Sequence, residues 1–226
     1  MLALKLGQSL SSSKNSAWLP TDESSLVAWY RKASELDLEP SPGVKTWGNS
    51  EGDSTLRMGQ STVSEQPTFA NGVVTFDPAN TQNLQTTGQI SLTGSFMVGM
   101  KINPSTYAGV ILGDNTSVGE FFKLTSNDTI RVKIDSSQVD LTLDSGTWDS
   151  DIPIIIARAG TTLVLFYNGV LQSTTGGIIS GTADIDTIGV RRVDLNPYDG
   201  TITEIQIYND YDVNMIAKIN TRLSPL

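Results

Sequence analysis

The chain has 226 residues, 38% of them hydrophobic, and its 24 acidic residues outnumber 15 basic ones, which gives a formal net charge of −9. This length suits one large all-β domain, and the negative charge argues against binding to the phosphate backbone of nucleic acids. The sequence contains no cysteine and no histidine, which excludes disulfides, thiolate nucleophiles, zinc sites built on these residues and Ser-His-Asp triads. The apolar runs fall far short of the roughly 20 residues of a spanning helix, so we expect no membrane insertion.

Residues 1–25 are predicted to form an N-terminal arm that anchors the domain 26–226. The stretch 8–25 is rich in serine and poor in apolar residues, which is typical of a linker. Before it, "LALKLG" alternates apolar and polar side chains, so it can add as a strand to a sheet edge of a neighbouring subunit or of this domain. We therefore expect the domain to fold without residues 1–20. The arm residues assigned to assembly are Leu2, Leu4, Leu6, Leu10 and Trp18.

From Leu26 onward, short apolar runs are separated by turn residues. Many of these runs alternate with period two or are rich in β-branched residues, which indicates strands. Asn168-Gly169 suits a two-residue type I′ hairpin turn. In "YDGTITEIQIYND" at 198–210, the three isoleucines are expected to face the core. The other predicted strands lie within 72–76, 94–102, 108–113, 120–124, 129–134, 139–143, 152–160, 162–172 and 184–192.

Helical periodicity occurs near the end of the chain, at 212–223, where Val213, Ile216 and Ile219 can share one face. No repeat of about 20–50 residues is evident, which argues against solenoids and propellers. The pattern therefore predicts an all-β jelly-roll β-sandwich of two antiparallel sheets, with an N-terminal arm and one short C-terminal helix.

Several blocks of the sequence carry packing signatures of a known family. The block "SLVAWYRKASELDLEPSPGVKTWGNSEGDS" contains an apolar "LxAWY" strand, a "VxxW" strand and a Gly/Asn/Asp/Ser turn, and "QPTFANGVVTFD" follows at 66–77. These blocks, with later ones at 92–104, 163–177 and 187–210, resemble laminin-G-like, concanavalin-type domains. The resemblance covers residues 26–223 and implies a concanavalin A-like fold with Trp29 and Trp47 in its core.

The arm and the first strand, "LKLGQSLSSSK" and "WLPTDESSLVAWY", resemble virion structural proteins of marine tailed phages that infect cyanobacteria. This resemblance implies a protein of the virion surface, assembled in the host cytoplasm, that decorates the capsid or belongs to the tail or its fibres. Its partners would be other virion proteins and further copies of itself. We therefore expect a non-catalytic structural protein. A lectin-like adhesin for host surface glycans is the alternative.

The segment "ELDLE" at 35–39 resembles the carboxylate signature of laminarinase-type glucanases. Retaining hydrolysis needs two carboxyl groups about 5–5.5 Å apart, whereas residues four apart on a regular strand are about 13 Å apart. The "PSP" that follows departs from the glucanase pattern, and charge runs usually mark a solvated face. A solvated loop is therefore favoured, and a β-glucanase built on Glu35, Asp37 and Glu39 is the third hypothesis.

Calcium is the one cofactor that the sequence leaves open. Calcium prefers six to eight oxygen ligands, and the spacing in "VDLNPYDG" supplies at most half of them. Asn and Asp are also the residues that turns select, so ordinary turn chemistry is favoured. The candidate ligands are Asp194, Asn196 and Asp199, with Asp184 and Asp186 nearby in sequence.

Aromatic residues in polar surroundings are candidates for stacking on sugars. Trp148 and Tyr198 fit this description, and Asn196 lies beside Tyr198 in sequence. We assign these three residues to a glycan site at the loop end of the sandwich. Packing in the core or at its rim is the alternative for both rings.

Overall fold

The computed structural model describes residues 18–31, 36–38, 42–116, 121–148, 152–173, 177–191 and 196–224. Within these ranges the strands pair antiparallel into two sheets, and one α-helix, α1 (Val213–Leu223), follows the last strand. None of the helices in these ranges is long and apolar enough to cross a membrane. The predicted all-β sandwich with a C-terminal helix is confirmed.

In chain order, the strands are β1 (Leu26–Tyr30), β2 (Leu36–Leu38), β3 (Val44–Trp47), β4 (Met58–Gly59), β5 (Thr68–Ala70), β6 (Val73–Phe76), β7 (Leu84–Thr93), β8 (Phe96–Pro104), β9 (Gly109–Gly113), β10 (Phe121–Leu124), β11 (Thr129–Ile134), β12 (Ser137–Thr142), β13 (Ile154–Ala159), β14 (Thr162–Tyr167), β15 (Val170–Leu171), β16 (Thr182–Ile188) and β17 (Gly200–Tyr208). The back sheet has the order β15-β14-β13-β8-β17-β6-β5, and β1 also pairs with β17. The front sheet has the order β12-β11-β10-β9-β16-β7-β4-β3-β2. The main core fills the space between the two sheets.

Strand β17 shows how the sequence places its isoleucines. Ile202, Ile205 and Ile207 are all buried in the main core, as predicted. Ile202 and Ile205 are three residues apart, which would put them on opposite faces of a regular strand. The register with β8 shifts between Ile202 and Glu204, and this irregularity lets both isoleucines face the core. Glu204 and Gln206 consequently point to the outer face of the back sheet.

Helix α1 covers that outer face. The carboxylate of Asp212 caps the helix by accepting a hydrogen bond from the backbone N–H of Asn214 at 2.8 Å. The helix lies directly on β8, because a Cβ atom on Gly99 would come 2.6 Å from Cγ2 of Ile219. Val213 is 61% exposed, so the prediction that it shares the buried face is wrong. The buried face consists of Met215, Ile216, Ile219 and Leu223.

A buried polar network lies between β17, β1 and the end of α1. The carboxylate of Glu204 accepts hydrogen bonds from Nε1 of Trp29 at 2.7 Å and Nε2 of Gln206 at 2.8 Å. Nε of Arg222, on α1, lies 3.3 Å from the same carboxylate oxygen. The hydroxyl of Tyr208 donates to Oε1 of Gln206 at 2.7 Å. The polar side chains on this face are thus bonded to one another and to the helix.

The described part of the arm also packs on the helix side of the domain. Nε1 of Trp18 donates to the carboxylate of Glu23 at 2.8 Å, and Nζ of Lys218 on α1 lies 2.7 Å from the same oxygen. The Trp18 ring is half-buried against the cluster formed by α1 and the back sheet. Trp18 therefore contacts the sandwich, although it precedes the predicted boundary at Leu26. The other assembly residues, Leu2, Leu4, Leu6 and Leu10, lie outside the described residues.

Candidate functional site

The structure buries both aromatic residues that were assigned to a glycan site. Trp148 is 4% exposed, donates from Nε1 to the backbone oxygen of Ser126 at 3.1 Å, and packs edge-on against Tyr167. Tyr198 is 0% exposed and packs edge-on against Phe76, and burial raises the pKa of its phenol. Neither ring presents a face on which a sugar could stack. The stacking assignment is therefore corrected to core packing.

The calcium candidates are only partly covered by the described residues. Oδ1 of Asn196 accepts a hydrogen bond from Nζ of Lys123 at 2.8 Å, and a bound ammonium group would repel a metal ion at this oxygen. Asp199 is half-buried, whereas Asp194 lies outside the described residues. In the described part of the chain, no group of three or more His, Cys, Asp or Glu residues is arranged to hold a metal ion. Calcium binding through Asp194 stays a prediction.

The "ELDLE" segment contributes an edge strand instead of the predicted loop. Leu36–Leu38 forms β2, which pairs with β3, and Asp37 on this strand is exposed. Glu35 and Glu39 lie outside the described residues. The glucanase hypothesis therefore stays a prediction for Glu35 and Glu39. Asp37 belongs to an edge strand of the front sheet.

Directly paired residues cross all nine strands of the front sheet in a single row. Direct partners point to the same face of a sheet, and Asp37 and Gln138 at the two ends of the row are exposed. The row therefore marks the outer face of the front sheet. From β2 to β12, it runs through Asp37, Thr46, Gly59, Gln85, Thr187, Gly113, Phe121, Lys133 and Gln138.

A first cleft of about 360 Å³ lies at the β2 end of this face. Oδ1 of Asp53 accepts hydrogen bonds from the backbone N–H of Thr55 at 2.8 Å and from its hydroxyl at 2.7 Å, which caps a short 3-10 turn at Ser54–Leu56. These hydrogen bonds lower the pKa of the Asp53 carboxyl, so it is ionised and accepts hydrogen bonds at neutral pH. The cleft is lined by Leu36, Asp37, Gly48, Asn49, Gly52, Asp53, Ser54 and Arg57.

A second cleft of about 420 Å³ lies beside the first, over β3, β4 and β7. Two of its amides are held by a shared partner, since Nε2 of Gln60 and Nε2 of Gln85 each donate to Oδ1 of Asn83 at 3.2 Å. Oε1 of Gln85 in turn accepts from the side chain of Asn115 at 3.3 Å. The second cleft is lined by Lys45, Thr46, Ser54, Arg57, Met58, Gly59, Gln60, Ser61, Gln85 and Thr87.

The two clefts are neighbours, because Ser54 and Arg57 line both of them. Nη2 of Arg57 donates to Oγ1 of Thr46 at 2.7 Å, which fixes the guanidinium between the clefts. Both volumes fall in the range of about 300–1,000 Å³ that small-molecule sites occupy. We call the pair the double cleft. It offers carboxylates, amides, hydroxyls and a guanidinium, which can bind a ligand rich in hydroxyl groups.

A cationic cluster occupies the other half of the same face, on β10 and β11. Phe121 pairs with Lys133, and Lys123 pairs with Arg131. Nζ of Lys133 and Cζ of Arg191 lie 5.8 Å and 4.8 Å from the centre of the Phe121 ring. Burial, followed by the charges of Arg191 and Arg131, lowers the pKa of Lys123. The cluster concentrates positive charge on one part of an acidic protein.

Between the double cleft and the cationic cluster lies a half-buried carboxyl group, that of Asp186 on β16. Burial raises its pKa to about 6, against the opposing effect of a hydrogen bond from the backbone N–H of Asn115 at 2.6 Å. The nearby charge of Asp114 also raises it. Asp186 therefore titrates at a higher pH than an ordinary aspartate.

No protein-family model matches the sequence, and no curated protein matches it. Among solved structures, the chain is similar to a sialidase of Trypanosoma rangeli in complex with sialic acid, with 12% identity and a TM-score of 0.55 over 88% of this chain. The chain spans only 33% of that sialidase.

Two further solved structures show the same fold at comparable similarity. Domain 4 of a GH43 extracellular arabinanase from Geobacillus stearothermophilus, in complex with arabinotriose, is 14% identical with a TM-score of 0.53, and the match covers 86% of this chain and 98% of that domain. A structure of botulinum neurotoxin type C, whose cell entry depends upon interaction with two ganglioside molecules, is 13% identical with a TM-score of 0.50, covering 91% of this chain and 52% of that one. At these identities the likeness establishes a shared β-sandwich fold.

Of the residues that line the double cleft, the sequence singled out only Asp37, as a glucanase candidate, and the others were not identified as a site. Its main signal was the Gly/Asn/Asp/Ser turn at 48–54, which the sequence marked only as a packing signature. Arg57 and Thr87 had no signal, because they meet only when β3, β4 and β7 assemble side by side.

Proposed function

We propose that this protein is a non-catalytic carbohydrate-binding β-sandwich that binds sugars on the outer face of its front sheet. The observation that carries the proposal is the double cleft, an open site that combines hydroxyl, amide and charged groups with apolar surface, on the face that α1 does not cover. The similar solved structures support it as an analogy, since they are a sialidase in complex with sialic acid, an arabinanase domain in complex with arabinotriose and a neurotoxin whose cell entry depends upon interaction with gangliosides.

The chemistry of the double cleft favours binding over hydrolysis. A glycosidase needs a general acid, a carboxyl group whose pKa is raised so that it stays protonated. The hydrogen bonds to Asp53 lower its pKa instead, which makes it a hydrogen-bond acceptor for a sugar hydroxyl. We therefore retain the expectation of a non-catalytic protein.

A place on a phage particle is compatible with this function and stays a prediction. It is supported by the resemblance of the arm and the first strand to phage virion proteins. It also agrees with the position of Trp18, which packs on the helix side of the domain while the double cleft lies on the other sheet. Mass spectrometry of purified particles tests it, and absence of the protein from virions would reject it.

The test of the proposed function is a glycan array, run with and without calcium, followed by a steric block of the cleft. Thr87 is exposed on β7 and lines the second cleft, so Thr87→Trp should fill it and abolish binding. Thr93→Trp is the matched control, since Thr93 is exposed on the same strand about 20 Å away. Wild-type protein that binds no glycan, or two variants that bind equally well, would overturn the proposal.

A further inference from the structure

Asn49, which lines the first cleft, holds a buried hydrogen-bond donor that has no partner among the described residues. Oδ1 of Asn49 accepts hydrogen bonds from the backbone N–H groups of Trp29 at 2.8 Å and Glu51 at 3.1 Å. These two bonds orient the amide, because the opposite orientation would place its NH₂ group against two donors. Its Nδ2 atom is buried and has no hydrogen-bond partner among the described residues, and Asn49 as a whole is only 8% exposed. A buried donor without a partner costs about 1–3 kcal/mol, so such atoms are rare.

The same cleft holds acceptors in fixed positions. Asp53 uses Oδ1 for its bonds to Thr55, which leaves its second carboxylate oxygen outside those bonds. Asp37 adds another exposed carboxylate to the lining, whereas Arg57 is the single cation among the described residues that line it. Two carboxylates against one guanidinium give the described lining of the first cleft a net negative charge, which disfavours carboxylated or sulfated sugars in it.

A fixed donor and a fixed carboxylate on residues that line the same cleft can bind two adjacent hydroxyl groups of one sugar ring. One hydroxyl can accept from Nδ2 of Asn49 while its neighbour donates to Asp53. We propose that the first cleft binds an uncharged sugar through such a vicinal diol, and that the second cleft holds the next unit of the same oligosaccharide. Ser54 and Arg57 line both clefts, so a linked pair of sugars can pass between them. This inference rests on the proposed function and specifies its ligand.

Because Nδ2 of Asn49 is covered, a ligand reaches it only when part of the lining moves. The least constrained part is β2, a three-residue strand at the edge of the front sheet. Its pairing with β3 shifts register between Asp37 and Leu38, so its backbone is held less regularly than that of an inner strand. Binding should therefore displace β2.

The test is titration calorimetry with the neutral trisaccharides arabinotriose, cellotriose and maltotriose and with sialyllactose as the acidic probe. Asn49→Asp keeps the oxygen that Trp29 and Glu51 need and replaces the donor by a carboxylate oxygen, and Asp53→Asn keeps the oxygen that caps Thr55. Each variant should weaken binding of the neutral trisaccharides about tenfold or more. Asp77→Asn is the matched control and should bind like wild type, since Asp77 caps a similar 3-10 turn, through Ala79 at 2.9 Å, outside the double cleft.

The outcomes separate the two proposals. Wild type that binds a neutral trisaccharide while Asn49→Asp and Asp53→Asn bind it equally well would overturn this inference and leave the proposed function standing. Wild type that binds sialyllactose and none of the neutral probes would show that the ligand is not an uncharged sugar, and would overturn this inference. If Asn49→Asp fails to fold, Asp53→Asn decides alone, and wild type that binds no glycan on the array overturns the proposed function itself.

Discussion

The outer faces of the two sheets differ in what they are built to contact. On the back sheet, α1 packs on β8 and β13, and polar side chains such as Glu204 are bonded beneath it. On the front sheet, no helix of the described chain lies over the double cleft, which is open and is lined by both polar and apolar groups. The comparison indicates that one face is used for stability and that the other is available for a ligand.

The burial pattern along the strands shows the same difference between the two sheets. In "IIIARA" of β13, the first five residues are buried, because the main core covers one face of the strand and the cluster formed with α1 covers the other. In "TIRVKI" of β11, every second residue is buried and the others reach the outer face of the front sheet. In these two strands, the continuous apolar run lies where both faces are covered, and the alternation lies where one face is exposed.

The largest expected effect is at the contact between the helix and the back sheet. Ile219→Ala should lower the free energy of unfolding by about 2–5 kcal/mol, because Ile219 is fully buried against β8. Val213→Ala, on the exposed side of the same helix, should change it by less than about 0.5 kcal/mol. Chemical denaturation measures both, and equal effects would show that α1 is not held by this packing.

A smaller difference in stability loss is expected when the ion pair on the outer face of each sheet is removed. Glu204→Gln should cost about 1–3 kcal/mol, because it removes a charge that Arg222 and the Trp29 indole share in a buried network. Asp140→Asn should cost less than about 1 kcal/mol, since its pair with Arg131 on the front sheet is exposed. Denaturant midpoints in low and high salt would check this, and a larger loss for Asp140→Asn would contradict it.

Titration of Asp186, on the front sheet, should make the free energy of unfolding depend on pH. Its pKa is raised from 3.8 to about 6, so the folded state holds a proton that the unfolded state releases between these values. Asp186 therefore reduces stability as pH rises through this window. Asp186→Asn keeps an oxygen for Asn115 and should stabilise the protein at pH 7 by about 1 kcal/mol after solvent screening, with little effect below pH 4. Stability curves of wild type and variant that stay parallel from pH 4 to 7 would contradict this prediction.

The smallest effect is expected for the arm. Deleting residues 1–17 removes no described contact and should change the free energy of unfolding by less than about 0.5 kcal/mol. Trp18→Ala in the full chain should cost about 1 kcal/mol, because it removes the ring and its hydrogen bond to Glu23. A deletion that costs more than Trp18→Ala would show that the sandwich uses residues 1–17 as a structural element.

Local patterns were sufficient to predict much of the fold. The alternation in β11 and the Asn168-Gly169 turn, whose φ angles of 52° and 72° suit type I′, both depend on neighbouring residues. Strand β7 was not predicted, because only Leu84, Ile90 and Leu92 interrupt its polar and glycine residues. Edge strand β2 was expected as a loop because its stability comes from its partner β3.

The candidate site was harder to predict, because it depends on contacts between residues that are distant in sequence. The orientation of Asn49 is set by the backbone of Trp29, 20 residues away. Trp148 looked exposed among polar neighbours, yet it is covered through contacts with Ser126 and Tyr167. Such contacts follow from the assembled sheets and leave no periodic signal in the sequence.

The most direct test of the difference between the two faces is an amide NMR titration of isotope-labelled protein with the glycan that binds best on the array. Shift changes should concentrate at 36–38, 45–61 and 85–87, around the double cleft, with α1 and β17 unchanged. Shift changes that instead concentrate on α1, or on β10 and β11 around the cationic cluster, would contradict it.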